Sequence, residues 1–259
     1  MSDADPSAGP VVLADVTDGV ATITLNRPAS RNALNRATQY ALWDAVAAAG
    51  ADPEVAVVIL TGADPAFCAG VDLKELRAAG GPPASSARSD PAETPRRTRN
   101  PGTALRELAK PAICAVNGVC VTGGLEIALS CDFVIASERA AFADRHARFG
   151  LIPGWGLSAL LPAAVGIRLA REMSLSGRLV DAHEALRAGL ANHVVPHPEL
   201  MRFTRQIASE IVQSEPRARR AVRDLYARSE GAPFERRLAN ETELVASWSV
   251  DRTALERRR

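Results

Sequence analysis

Apolar and polar positions along this chain follow two periods, and the switches between them mark out its elements. Val11–Val16 and Val20–Leu25 are β-rich runs separated by Asp18-Gly19, a two-residue turn that predicts a hairpin. Asn35 is placed to cap a helix running to about Ala49, with Leu42, Trp43 and Val46 on one face. Val55–Thr61 reads as a fully buried strand. Strand and helix then alternate: a short helix over LKELRAA, a strand over Ala112–Val116, a helix at Leu125, a strand over Phe133–Ala136, helices from about Leu157 to Ser174, and a strand near Ala191–Val195. That order predicts an α/β fold. From Glu199 onward the pattern is helical, broken by Pro216 and Pro233, which predicts three helices packed on or beside the core. Residues 1–197 are thus read as an α/β core and 198–259 as a C-terminal helical region. Ala78–Gly102 is rich in Gly, Pro, Ser and Arg with almost no apolar content, and is expected to be a mobile surface loop.

Composition narrows the classes of function. A chain of 259 residues can bury one large core without demanding two independent domains. At 47% apolar, 24% charged and a net charge of +1, it has no basic excess pointing to nucleic acid. The Arg clusters at 96–99, 217–223 and 257–259 are read as solvated faces and tails. Cys68, Cys114, Cys120 and Cys131 lack C-x-x-C spacing and lie among apolar residues, as expected of buried thiols in a reducing cytoplasm. The N-terminus is polar with no apolar segment of a secretory signal, and no apolar run approaches the roughly eighteen residues of a membrane span. A cytoplasmic protein without a membrane partner is expected. His183, His193 and His197 show no ligand spacing, so no metal is expected. GWGLSA at 154–159 lacks the strand-turn-helix setting of a dinucleotide site, and Ser158 lacks a nucleophile elbow.

The chemistry concentrates in KPAICAVNGVCVTGGLEIALSCD, residues 110–132, where Glu126 is the one carboxylate in an otherwise apolar run. Apolar surroundings disfavour its charged form and raise its pKa toward neutrality, which suits a proton-transferring group. Gly123 and Gly124 fall at the first turn of the predicted helix, where backbone N–H groups are unpaired and able to receive negative charge. A second turn, FCAGVDL at 67–73, also leads from a strand to a helix. Two such turns can aim two N–H groups at one oxygen, each donor being worth roughly 3 kcal/mol of barrier.

FCAGVDLKEL, the 110–132 segment and FADRHARFGLIPGWG, in this order, resemble the enoyl-CoA hydratase/isomerase (crotonase) superfamily. The resemblance extends from about Val11 into the C-terminal helices, taking in ITLNRPASRNALN and SGRLVDAHEALRAGLANHVVP. It implies a crotonase-like α/β fold, a spiral of ββα units with a C-terminal helical region that supports trimers or dimers of trimers. It also implies an enzyme acting on an acyl-CoA thioester, with coenzyme A brought by the substrate and no separate cofactor. Position by position, Val71 and Gly123 take the places of the oxyanion-hole N–H groups, and Glu126 that of one acid-base glutamate. Ala69 falls where the adenine of coenzyme A binds, with Lys74 as a phosphate contact.

The pattern departs at the second acid-base glutamate of the hydratases. Alignment of Phe142 and Pro153-Gly154 without a gap puts His146 in that slot. A histidine can accept or donate a proton near neutral pH, so Glu126 and His146 can divide the work, with Asp144 as a substitute acid if the loop is shifted. Enoyl-CoA hydration is the leading expectation. Isomerisation or another reaction through the same enolate is the enzyme alternative, and a CoA-thioester binding protein without turnover is the non-catalytic one.

Overall fold

The computed structural model describes residues 9–78 and 100–249. The chain opens with strands β1 (Val12–Thr17) and β2 (Val20–Leu25), antiparallel through a turn in which Asp18 and Gly19 both take positive φ. That is the backbone a two-residue hairpin turn requires, and the reason the Asp-Gly pair was legible. Helix α1 (Arg36–Ala51) starts where Asn35 accepts a hydrogen bond from the Thr38 N–H, and it buries Leu42, Val46 and Ala49.

Thereafter the chain builds two sheets in alternation. β3 (Val57–Gly62) is followed by β4 (Ala66–Cys68) and α2 (Leu73–Ala78). After the stretch outside the described residues come α3 (Pro101–Glu107), β5 (Ala112–Val116), β6 (Val119–Val121) and α4 (Gly123–Leu129). β7 (Phe133–Ser137), β8 (Ala141–Ala143) and the long helical segment α5 (Leu157–Ser176), broken at Gly166, form the next unit. The chain continues through β9 (Val180–Asp181), α6 (Ala182–Ala188) and β10 (His193–Val195). It ends with α7 (Leu200–Val212), α8 (Pro216–Ser229) and α9 (Phe234–Ser247).

The first strand of each ββα unit joins a six-stranded sheet of order β1-β2-β3-β5-β7-β10, parallel from β2 onward. The second joins a smaller sheet of order β4-β6-β8-β9, in which β4, β6 and β8 run parallel. The expected spiral of ββα units is therefore present. The small sheet has no forecast in the sequence, because its strands are two or three residues long and carry too few positions to display a period.

Both faces of the large sheet are covered. Val58, Leu60 and Cys114 face a core that includes Leu42, Leu105, Leu125, Phe142 and Met173. Val57, Ile59, Ile113 and Ile135 face Leu200 and Ala208. Two-sided burial explains the unbroken apolar run of β3. Leu200, Thr204 and Ala208 recur every four residues on α7, so this helix lays one stripe on the sheet. The region from 198 onward accordingly divides: α7 completes the core, and α8 and α9 pack against each other beyond it, with Arg217 stacked 5.2 Å from the Trp248 ring centre.

The loop expected over Ala78–Gly102 lies mostly outside the described residues. Its limits are corrected: Ala78 closes α2, while Pro101 and Gly102 are buried in the first turn of α3, which Asn100 caps by accepting from the Thr103 N–H. Proline suits a first helical position because its missing N–H would have had no partner there. Cys68, Cys114 and Cys120 are buried free thiols, whereas Cys131 is half-buried. Among the described residues, no helix is long and apolar enough to cross a membrane.

Asn35→Ala removes the acceptor for the Thr38 N–H and hydroxyl and is expected to destabilise the protein by about 1 kcal/mol. Urea denaturation should show a lower midpoint with an unchanged slope.

Candidate active site

Pairing in the small sheet gathers three segments at one edge. β4, β6 and β8 are adjacent and parallel, so the turns leaving their C-terminal ends lie side by side: Ala69–Asp72, Thr122–Glu126 and Asp144–His146. Glycines permit the close approach. A Cβ on Gly124 would fall 2.6 Å from the Cys68 carbonyl oxygen, and one on Gly70, which holds φ +84°, would fall on the Thr122 hydroxyl.

The first turn is fixed from the N-terminal segment. Leu34 bridges to Val71: the Leu34 N–H donates to Gly70 O, and the Asp72 N–H donates to Leu34 O. In such a parallel bridge the N–H of the opposite residue, Val71, points away from Leu34. The Asn32 side-chain amide, fully buried, donates to the carbonyls of Ala63 and Ala66, and Arg27 pairs with Asp72 at 2.9 Å. Burial by itself would raise the Asp72 carboxyl, but the hydrogen bonds from Arg27 and from the Lys74 and Glu75 N–H groups hold it below the usual range.

Thr122 precedes α4 with φ 49° and ψ −118°, a backbone region that L-residues avoid at a cost of order 1–3 kcal/mol. This turn makes Gly123 the first helical residue. Neither the Val71 nor the Gly123 N–H has a hydrogen-bond partner among the described residues. Adjacent strands lie about 4.8 Å apart. N–H groups on turns that leave adjacent strands can share one oxygen where each comes within roughly 2.9 Å of it.

Glu126, one turn into α4, is 2% exposed. Its Oε1 accepts from the Trp155 N–H at 2.7 Å and the Leu157 N–H at 3.4 Å, which leaves Oε2 turned toward His146, 3.7 Å from Nε2. Burial raises its carboxyl above the ordinary value, against the lowering effect of the Trp155 N–H and of His146. His146 is buried, 5% exposed. Its Nδ1 lies 2.7 Å from Asp144 Oδ1, which also accepts the His146 backbone N–H at 3.0 Å. Asp144 is thus the partner of His146, which corrects its place as a substitute acid. Burial would raise the Asp144 carboxyl, but hydrogen bonds from the His146 ring and from Ser174 of α5 hold it below the usual range.

Other expected residues take outer positions. Ala69 is half-buried with its N–H donated to Arg31 O, and Lys74 is exposed in the first turn of α2. Trp155 lies against the backbone of Gly123, where a Cβ would come within 3.1 Å of its ring. Arg106 of α3, unmarked in the sequence, donates to Ser130 Oγ and to Trp155 O, each at 2.9 Å. Ser130 Oγ in turn donates to the Glu126 carbonyl. One guanidinium therefore braces both ends of the Glu126 setting, and no local motif announces it. A serine-histidine-aspartate string does exist elsewhere, Ser137 Oγ to His197 Nδ1 and His197 Nε2 to Asp64, both at 3.1 Å. Ser137 is fully buried and its Oγ accepts the Arg139 N–H, so the string is a strut and not a nucleophile. Among the described residues, no group of three or more His, Cys, Asp or Glu could hold a metal ion.

The arrangement offers two free N–H donors for a developing negative charge, and beside them a carboxyl and an imidazole within one water of each other. Comparison with known proteins gives this geometry a context. The sequence matches the family described as enoyl-CoA hydratase/isomerase over residues 15–253. It is 41% identical over 197 residues to "Probable enoyl-CoA hydratase 1, peroxisomal" of Arabidopsis thaliana, covering 76% of this chain and 71% of that protein. It is 37% identical over 226 residues to the 2,3-dehydroadipyl-CoA hydratase of Escherichia coli strain K12, covering 87% and 85%. Among solved structures, an enoyl-CoA hydratase of Mycobacterium tuberculosis H37Rv superposes with a TM-score of 0.73 at 45% identity, over 92% of this chain and 97% of that one.

Because burial raises the Glu126 carboxyl, the folded protein keeps this proton to a higher pH than the unfolded chain does. The site costs nothing below the ordinary carboxylate range of about 4.3, and stability falls as pH rises from there through the raised value. Glu126→Gln abolishes this penalty. The variant is expected to melt a few degrees above wild type at neutral pH, with the gap closing as pH approaches about 4. A Gln variant that melts below wild type at pH 7 would mean that the Trp155 and Leu157 hydrogen bonds outweigh the burial cost.

Proposed function

The chain belongs to the enoyl-CoA hydratase/isomerase family, whose members process acyl-CoA thioesters, and from that premise we propose that it adds water to a 2-enoyl-CoA. The observation that carries this reading is the buried pair Glu126 and His146, 3.7 Å apart, beside two unpartnered N–H groups. A water at about 2.8 Å from each side chain fits at the apex of a triangle on that base. In this reading the Val71 and Gly123 N–H groups hold the thioester oxygen and draw charge onto it, which makes the β-carbon electrophilic and stabilises the enolate. One member of the pair takes a proton from the water as its oxygen bonds to the β-carbon. The other gives a proton to the α-carbon.

Isomerisation needs one group that carries a proton between the α- and γ-carbons. A second proton-transferring side chain poised to hold water favours hydration. The adenine end of the substrate is assigned to the turn at Ala69, with Lys74 near its phosphates, so all the coenzyme A arrives with substrate and no resident cofactor is called for. Exposed apolar side chains such as Ile152, Leu175, Tyr226 and Val245 support the further proposal that the protein works as a homotrimer or a dimer of trimers, which light scattering would check.

With crotonyl-CoA, Glu126→Gln is expected to lower kcat by about 10³-fold and His146→Ala by about 10²-fold, with KM changed far less. Unchanged turnover in Glu126→Gln would overturn the acid-base assignment. Tight binding of enoyl-CoA thioesters without any turnover by the wild type would favour a binding protein.

A further inference from the structure

We propose that Asp144 is a positioning residue that makes His146 the base of the pair and leaves Glu126 as the acid. The inference rests on the hydratase reading and fixes the roles that reading leaves open. Asp144 Oδ1 accepts both the backbone N–H of His146 at 3.0 Å and its ring Nδ1 at 2.7 Å, so a carboxylate two residues away grips backbone and ring together. Ser174 of α5 helps to hold this carboxyl below its ordinary range.

An ionised carboxylate only accepts hydrogen bonds. The proton of a neutral His146 must then sit on Nδ1, and the Nε2 lone pair faces Glu126 Oε2 across 3.7 Å. On the other side, the Trp155 and Leu157 N–H groups occupy Glu126 Oε1, so a proton on this carboxyl resides on Oε2. Burial favours that protonated form, whereas Asp144 remains ionised among its donors. Two carboxyls and one imidazole are thereby sorted into orienter, base and acid by the bonds each makes.

The cycle balances with one proton. His146 Nε2 takes a proton from water, the oxygen bonds to the β-carbon, and the π electrons move onto the thioester oxygen held by the Val71 and Gly123 N–H groups. The enolate then collapses, and its α-carbon takes the proton of Glu126. An imidazolium faces a carboxylate at that point, with the Asp144 charge stabilising the former. The proton passes from Nε2 to Oε2 through the next water, and the site is restored.

The test compares Asp144→Asn, Asp144→Ala, Ser174→Ala and His146→Ala by steady-state kinetics with crotonyl-CoA and by nitrogen NMR of the labelled histidine ring. Wild type is expected to show neutral His146 protonated on Nδ1. Asp144→Asn should lower kcat by about 10²-fold or more with KM within about threefold, and Asp144→Ala should also move the proton toward Nε2. Ser174→Ala should lower kcat by several-fold only. The wild-type ring spectrum reports the tautomer without any substitution, so the proposal stays testable where an Asp144 variant does not fold. Wild-type His146 protonated on Nε2, or Asp144 variants with wild-type kcat while His146→Ala is inactive, would overturn the role of Asp144 and leave the hydratase reading standing. Full crotonyl-CoA hydration by His146→Ala would overturn the roles of both His146 and Asp144, whereas a wild type that hydrates no enoyl-CoA would overturn the hydratase reading itself.

Discussion

Three very short strands, paired in parallel, place every turn of the candidate site. β4, β6 and β8 contribute three residues each, yet their alignment sets the turns at Ala69–Asp72, Thr122–Glu126 and Asp144–His146 along one edge. So few ladder hydrogen bonds would not hold a sheet in water. They persist because each strand is tethered to a long strand of the larger sheet, which is buried on both faces. The large sheet thus supplies the stability, and the small sheet spends part of it on geometry.

Part of that stability is absorbed by groups that are unfavourable on their own. Thr122 takes a strained backbone so that α4 can begin at Gly123. Glu126 is buried at the cost of its charged form, and its burial is offset by N–H donors from the segment after Pro153. Arg106 braces that segment and Ser130 together, so a surface-facing cation on α3 helps fix an interior carboxyl. Strain at Thr122 and buried polarity at Glu126, Asp144 and His146 thus meet where chemistry is proposed.

Much of the scaffold was legible because its signals are local. Asp18-Gly19 carries its own turn geometry, Asn35 caps within three residues, and β3 announces two-sided burial by its unbroken apolar run. Glu126 stood out for the same reason, as a charge among apolar neighbours. The small sheet was not legible, because no period can be read from three residues. Arg27 and Asp72 pair across 45 positions, and Arg106 and Trp155 across 49, with no motif that spans either gap.

His146 shows the division most clearly. The resemblance to the hydratases puts it in the slot of a second glutamate, whereas its burial, its grip by Asp144 and its approach to Glu126 come from the fold. Helices and long strands are written locally, since periodicity, caps and turns act over a few residues. Which carboxyl orients the imidazole and which faces it emerges on folding, because burial and hydrogen-bond partners are set by strands that pair far apart in the chain.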